Sequence, residues 1–147
     1  MAENISPSNP TLLFSAATFN ATANSPTFNL PLADSYSFIL AVTTPGGTTE
    51  TLDCAIQISP DNGTTFYDWW RFTQVTTSAV TYCLTVQPWE GRGEAGSIAT
   101  ITAAGTGALN TNKPFTNPCR LALTLGGTLP TYATVKVWVV STPRSGN

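Results

Sequence analysis

The chain has 147 residues, of which 41% are hydrophobic and only 10% charged, with a net charge of −2 and no histidine. Ordinary soluble domains carry roughly 25% charged residues, so this surface must be built from Thr, Ser, Asn, Gly and Ala, which lose little hydration on contact. A triad or general base using histidine and a mixed Cys/His zinc site are excluded. The scattered Arg71, Arg92, Lys113, Arg120, Lys136 and Arg144 form no basic patch, so neither nucleic acid nor an anionic membrane is an expected partner.

Residues 1–10 are polar, contain Pro7 and Pro10, and read as a flexible arm; residues 11–147 read as a single β domain. Residues 12–19 form a candidate first strand. In 27–32, Phe28, Leu30 and Leu32 alternate with Asn29 and Pro31, the period of a half-buried strand; Pro31, lacking an N–H, places it at an edge. Residues 35–44 set Tyr36, Phe38, Leu40 and Val42 on one face, and Pro45-Gly46-Gly47 is predicted to end the strand. Residues 51–59 turn Leu52, Cys54, Ile56 and Ile58 inward. Pro60-Asp61-Asn62-Gly63-Thr64 then supplies positive φ for a tight turn, and 65–72 returns, so residues 50–72 are predicted to be a β-hairpin.

Val80, Tyr82, Leu84 and Val86 alternate in 79–87; 88–96 read as a loop, 97–103 as a short strand and 104–118 as a long excursion. Leu121, Leu123 and Leu125 mark another strand. In 131–141, Val135, Val137 and Val139 face one way, and Lys136, Trp138 and Val140 the other. No helical periodicity runs for two turns. About eight antiparallel strands between turns predict an all-β fold, a β-sandwich or jelly-roll-like barrel, with a flexible N-terminal arm.

Little in the chain carries chemistry. Asp53 and Asp68 lie on strands expected to pair, but two carboxylates need opposed placement across a bond to act as a glycosidase pair, and Arg71 is an equally good partner. Asp61-Asn62-Gly63-Thr64 lacks the later ligands of a calcium loop. Cys54, Cys83 and Cys119 are odd in number and match no metal spacing; they read as buried hydrophobes, with a Cys54–Cys83 bridge as the alternative. No catalysis, cofactor or metal is expected. The opening Met-Ala-Glu-Asn-Ile-Ser-Pro has no signal-peptide pattern, so the sequence predicts a protein made in a cytoplasm and not exported by that route. Tyr67, Trp69 and Arg71, alternating against Phe66, Trp70 and Phe72, are candidates for a covered or binding face, with Trp89 beside them. Such aromatics suit an interface hot spot or a sugar-stacking platform on Trp69, Trp70 or Trp89.

The run Ala55-Ile56-Gln57-Ile58-Ser59-Pro60-Asp61-Asn62-Gly63-Thr64-Thr65-Phe66-Tyr67-Asp68-Trp69-Trp70-Arg71-Phe72-Thr73-Gln74-Val75 resembles a hairpin of small structural proteins of tailed bacteriophages, head decoration (cement) proteins among them. It departs from that pattern at Asn62, where the family has Gly, and at Phe66, where it has Trp. The resemblance implies a virion structural protein bound to the capsid exterior. Its partners would be the major capsid protein and itself, as a homotrimer, and it would clamp neighbouring subunits. A tail, connector or baseplate protein is the neighbouring alternative. A carbohydrate-binding β-sandwich module is the alternative of another class. In this frame Leu12, Leu13 and Phe14, just after the arm, are expected to anchor it to a partner.

Overall fold

Two long alternating runs build the fold. In the computed structural model, which describes residues 2–5, 9–86 and 116–143, β5 (Ala33–Ile58) and β8 (Cys119–Pro143) pair antiparallel from end to end. Ala33 lies opposite Pro143 at one end and Ile58 opposite Cys119 at the other. The remaining strands are β1 (Glu3–Asn4), β2 (Thr11–Ala16), β3 (Ala23–Asn24), β4 (Phe28–Asn29), β6 (Tyr67–Arg71) and β7 (Val80–Val86). All but β1, which pairs with β4, attach along the two edges of this ribbon.

The first half-sheet runs β7, β5, β8, β2: β7 pairs with β5 over 36–42, and β2 pairs with β8 over 135–139. In the second half-sheet, β6 pairs with β5 over 55–58, β3 and β4 pair with β8, and β1 adds to β4 in parallel. Between the halves the ribbon bends. Thr44, Gly47 and Thr49 on β5, and Gly127 and Leu129 on β8, all have positive φ. Glycine is required at two of these: a Cβ on Gly47 would lie 2.7 Å from the Leu129 carbonyl oxygen, and one on Gly127 would lie 2.4 Å from that of Thr49.

Strand alternation turns Tyr36, Phe38, Leu40, Val42, Val135, Val137 and Val139 of the first half, and Leu52, Ile56, Leu121 and Leu123 of the second, into one buried cluster. Each such side chain contributes about 1.5–3 kcal/mol by leaving water. Trp69 crosses between the halves, its ring edge-on to Tyr36 at 6.4 Å.

The all-β fold holds, no helix occurring among the described residues. Several finer expectations are corrected. Pro45-Gly46-Gly47 does not end a strand: pairing continues through Pro45↔Tyr132 and Gly46↔Thr131, and bulges absorb the irregular backbone. The 27–32 strand shortens to Phe28–Asn29 and lies between β1 and β8 rather than at an edge; Leu30 is buried but Leu32 is 61% exposed. The arm is tied at its start, where the Ile5 N–H donates to the Asn29 carbonyl at 3.0 Å and the Ile5 side chain is buried. The sheet is open among the described residues, with no strand closing it into a barrel. The predicted 88–96 loop and 97–103 strand, and most of the 104–118 excursion, lie outside the described residues.

Candidate functional site: the outward face of the first half-sheet

The register of the first half-sheet fixes what its face away from the core presents. Ile39 lies opposite Cys83 on one side and Trp138 on the other, and Trp138 lies opposite Leu12. These four residues form one row across all four strands. A second row joins Thr85, Ser37 and Val140, and a third joins Thr81, Ala41, Lys136 and Ser15. Leu12 is 47% exposed; Cys83 is exposed, and Ile39, Trp138 and Val140 are half-buried. Lys136 is the one charge in these rows. A sheet face turned to water normally alternates to polar residues; this one places Leu, Trp and Ile side by side, the composition of an interface core.

The second half-sheet treats the same face differently. Gln57 Nε2 donates to Asp68 Oδ1 at 2.7 Å, Arg71 Nε donates to Asp68 Oδ2 at 3.0 Å, and Arg120 Nε donates to Gln57 Oε1 at 2.7 Å. The Arg120 guanidinium also stacks 4.0 Å above the Phe66 ring, a cation–π contact. Beside them Gln74 Nε2 donates to Asp53 at 3.0 Å. Its polar groups are thus paired within the chain, so it behaves as a satisfied solvent face.

The predicted site residues divide accordingly. Leu12, Leu13 and Phe14 do not act as one anchor, because the β2–β8 register shifts between Leu12 and Phe14. This bulge leaves Leu12 outward, buries Leu13, and packs Phe14 edge-on to Phe19 at 5.6 Å. Tyr67, Trp69 and Arg71 do not share a face either. The β5–β6 register skips Trp69 between Gln57↔Asp68 and Ile56↔Trp70. Trp69 is therefore core, at 1% exposure, while Tyr67 is exposed and Arg71 is held by Asp68. Burial also removes Trp69 as a sugar-stacking platform. Trp89 lies outside the described residues.

Asp53 and Asp68 form no facing pair: Asp53 sits opposite Thr124 and Asp68 opposite Gln57. Among the described residues no group of acidic and Cys side chains is placed to hold a metal. The cysteines are free, and only Cys83 is exposed; burial pushes the thiols of Cys54 and Cys119 up to about 12.

The hairpin is present, but its turn is not the tight two-residue form. Residues 59–66 make a longer loop in which Asn62 and Gly63 carry the expected positive φ. Asp61 organises it. Its Oδ1 accepts from the Thr65 N–H at 2.7 Å and the Ser59 hydroxyl at 2.8 Å, and Thr65 and Ser59 together hold the carboxyl at about 2.

What sequence reading missed is Ile39, Cys83 and Trp138. Their outward parity is visible in each strand, but the row they form with Leu12 exists only once the register is known. No protein-family model matches the chain, and no match was found among curated proteins or solved structures.

Proposed function

We propose that this chain is a structural protein that works by adhesion, with the outward face of the first half-sheet as its contact surface, and that it belongs to a tailed-phage virion, bound to the capsid exterior as a decoration protein. The single observation that carries the adhesive part is the Cys83–Ile39–Trp138–Leu12 row. Leaving such a row in water forfeits the stabilisation its burial gives, about 25 cal/mol per Å². The virion assignment rests on the resemblance of the 55–75 hairpin together with the 10% charge content. In this reading the two half-sheets are the leaves of a sandwich folded about the bends at Gly47 and Gly127. Many weak copies across capsid seams then sum to a large stabilisation.

The test is a mass-spectrometric copy count in purified particles of the phage that encodes the chain. Hundreds of copies per particle are expected for a decoration protein. Tens or fewer would move the chain to a tail, connector or baseplate position, and absence from particles would sink the virion reading.

A further inference from the structure

Outward residues of β8 and β5 are matched in an unequal way. Along β8 they are Lys136, Trp138 and Val140; directly across on β5 they are Ala41, Ile39 and Ser37. Large side chains sit on one strand and smaller ones on its neighbour in each of the three rows. A two-fold axis lying in the plane of contact, parallel to the strands and midway between β5 and β8, carries each strand of one copy over the other. Trp138 then meets Ile39, Val140 meets Ser37 and Lys136 meets Ala41, each contact occurring twice. Leu12 at one margin meets Cys83 at the other. Sheets packed face to face at about 10 Å interlock in this large-on-small manner, and an isologous contact requires such self-complementarity. The lone charge fits as well, because each Lys136 opposes an alanine rather than its own symmetry mate.

We infer that the partner this face takes is a second copy of the same chain, packed about that two-fold axis. The inference rests on reading the face as an interface; it gives that face to self-association, which leaves contact with a capsid to other surfaces of the dimer, and it differs from the three-fold association that the phage resemblance implies. Four strands of this length give a contact about 20 Å on a side, roughly 400 Å² on each copy. The two copies together bury roughly 800 Å², below the roughly 1,000 Å² of stable interfaces and in the range of transient ones, so the free dimer is weak, with a dissociation constant about micromolar or higher.

Sedimentation equilibrium of the full chain from about 1 µM to about 1 mM tests it. A monomer–dimer equilibrium is expected. Trp138→Ser, which removes a ring outside the core, is expected to raise the dissociation constant at least about 10-fold. Ala41→Lys places a lysine against Lys136 of the partner subunit and is expected to abolish dimers. Adding Lys136→Ala to it exchanges large for small and is expected to restore them. Leu12→Cys, treated with a short bismaleimide, should link position 12 to Cys83 of the partner subunit. Within one chain these positions are three strands, about 14 Å, apart. Monomers up to about 1 mM would overturn the inference, whether the face is empty or covered by residues 87–115 of its own chain. A stable trimer, or dimers indifferent to Ala41→Lys, would overturn it too. Dimerisation by a chain absent from virions would uphold the pairing while the virion reading fails.

Discussion

The two half-sheets share one core and one pair of long strands, yet turn opposite chemistry outward. The second half carries Asp53, Asp68, Arg71 and Arg120, paired among themselves or with glutamines. The first carries a row of Cys83, Ile39, Trp138 and Leu12, and Lys136 is the one charge in the rows on either side of it. Burial on the inward side is equivalent in both: Phe38 and Leu40 in one and Leu52 and Ile56 in the other are fully buried. The requirements of folding alone are met by the second pattern. The first is the pattern that the proposed adhesive role calls for.

Substitutions can break this comparison, and the largest effect belongs to the core. Trp69→Ala removes a 1% exposed ring that spans both halves and is expected to cost about 3–5 kcal/mol in urea unfolding. Trp138→Ala, on the outward face, is expected to cost the monomer less than about 1 kcal/mol. Equal losses would mean that Trp138 is a core residue. Next comes the polar network. Asp68→Ala strands Gln57 and Arg71 beside a half-buried gap and is expected to cost about 1–3 kcal/mol, whereas Lys136→Ala should lie within about 0.5 kcal/mol of the parent.

The thiols sharpen the contrast kinetically. Cys83 should react with an aromatic disulfide reagent in the native monomer. Cys54 and Cys119, buried and pushed up to about 12, should wait for unfolding. Prompt modification of more than one thiol would contradict the assigned burial. The smallest effect is at Asp61. Its carboxyl is depressed from 3.8 to about 2 by the Thr65 and Ser59 hydrogen bonds. A depressed folded value stabilises the ionised loop above the unfolded value, and that contribution is lost as pH falls from about 4 through about 2. Carboxyl NMR titration should find its midpoint near 2; one near 4 would mean that the loop bonds are absent.

Much of the core was legible in the sequence, because the alternations of Tyr36–Val42, Leu52–Ile58, Leu121–Leu125 and Val135–Val139 are simple period-two patterns. The positive φ of Asn62 and Gly63 was legible too, as turn chemistry. The site was legible only in part. Bulges at Leu13 and Trp69 each insert one residue, and one residue reverses the parity of everything beyond it. Strict alternation sets Trp69 beside Tyr67 and Arg71, whereas the bulge turns it into the core; Leu13, expected with Leu12 and Phe14 to anchor the arm because the three follow it, is core as well. Pro45-Gly46-Gly47 has the composition of a stop, but its backbone pairs with β8 across a bend, which local sequence does not reveal. The outward row joins Leu12 to Trp138 and Ile39 to Cys83, residues brought together by pairing and not by any spacing.

The most direct test of the adhesive face is side-chain oxidative footprinting by mass spectrometry, comparing dilute monomer with the assembled protein. Leu12, Ile39 and Trp138 are expected to lose reactivity on assembly, while Tyr67, exposed and off this face, keeps its own. Unchanged labelling of that row with protection elsewhere would contradict the account.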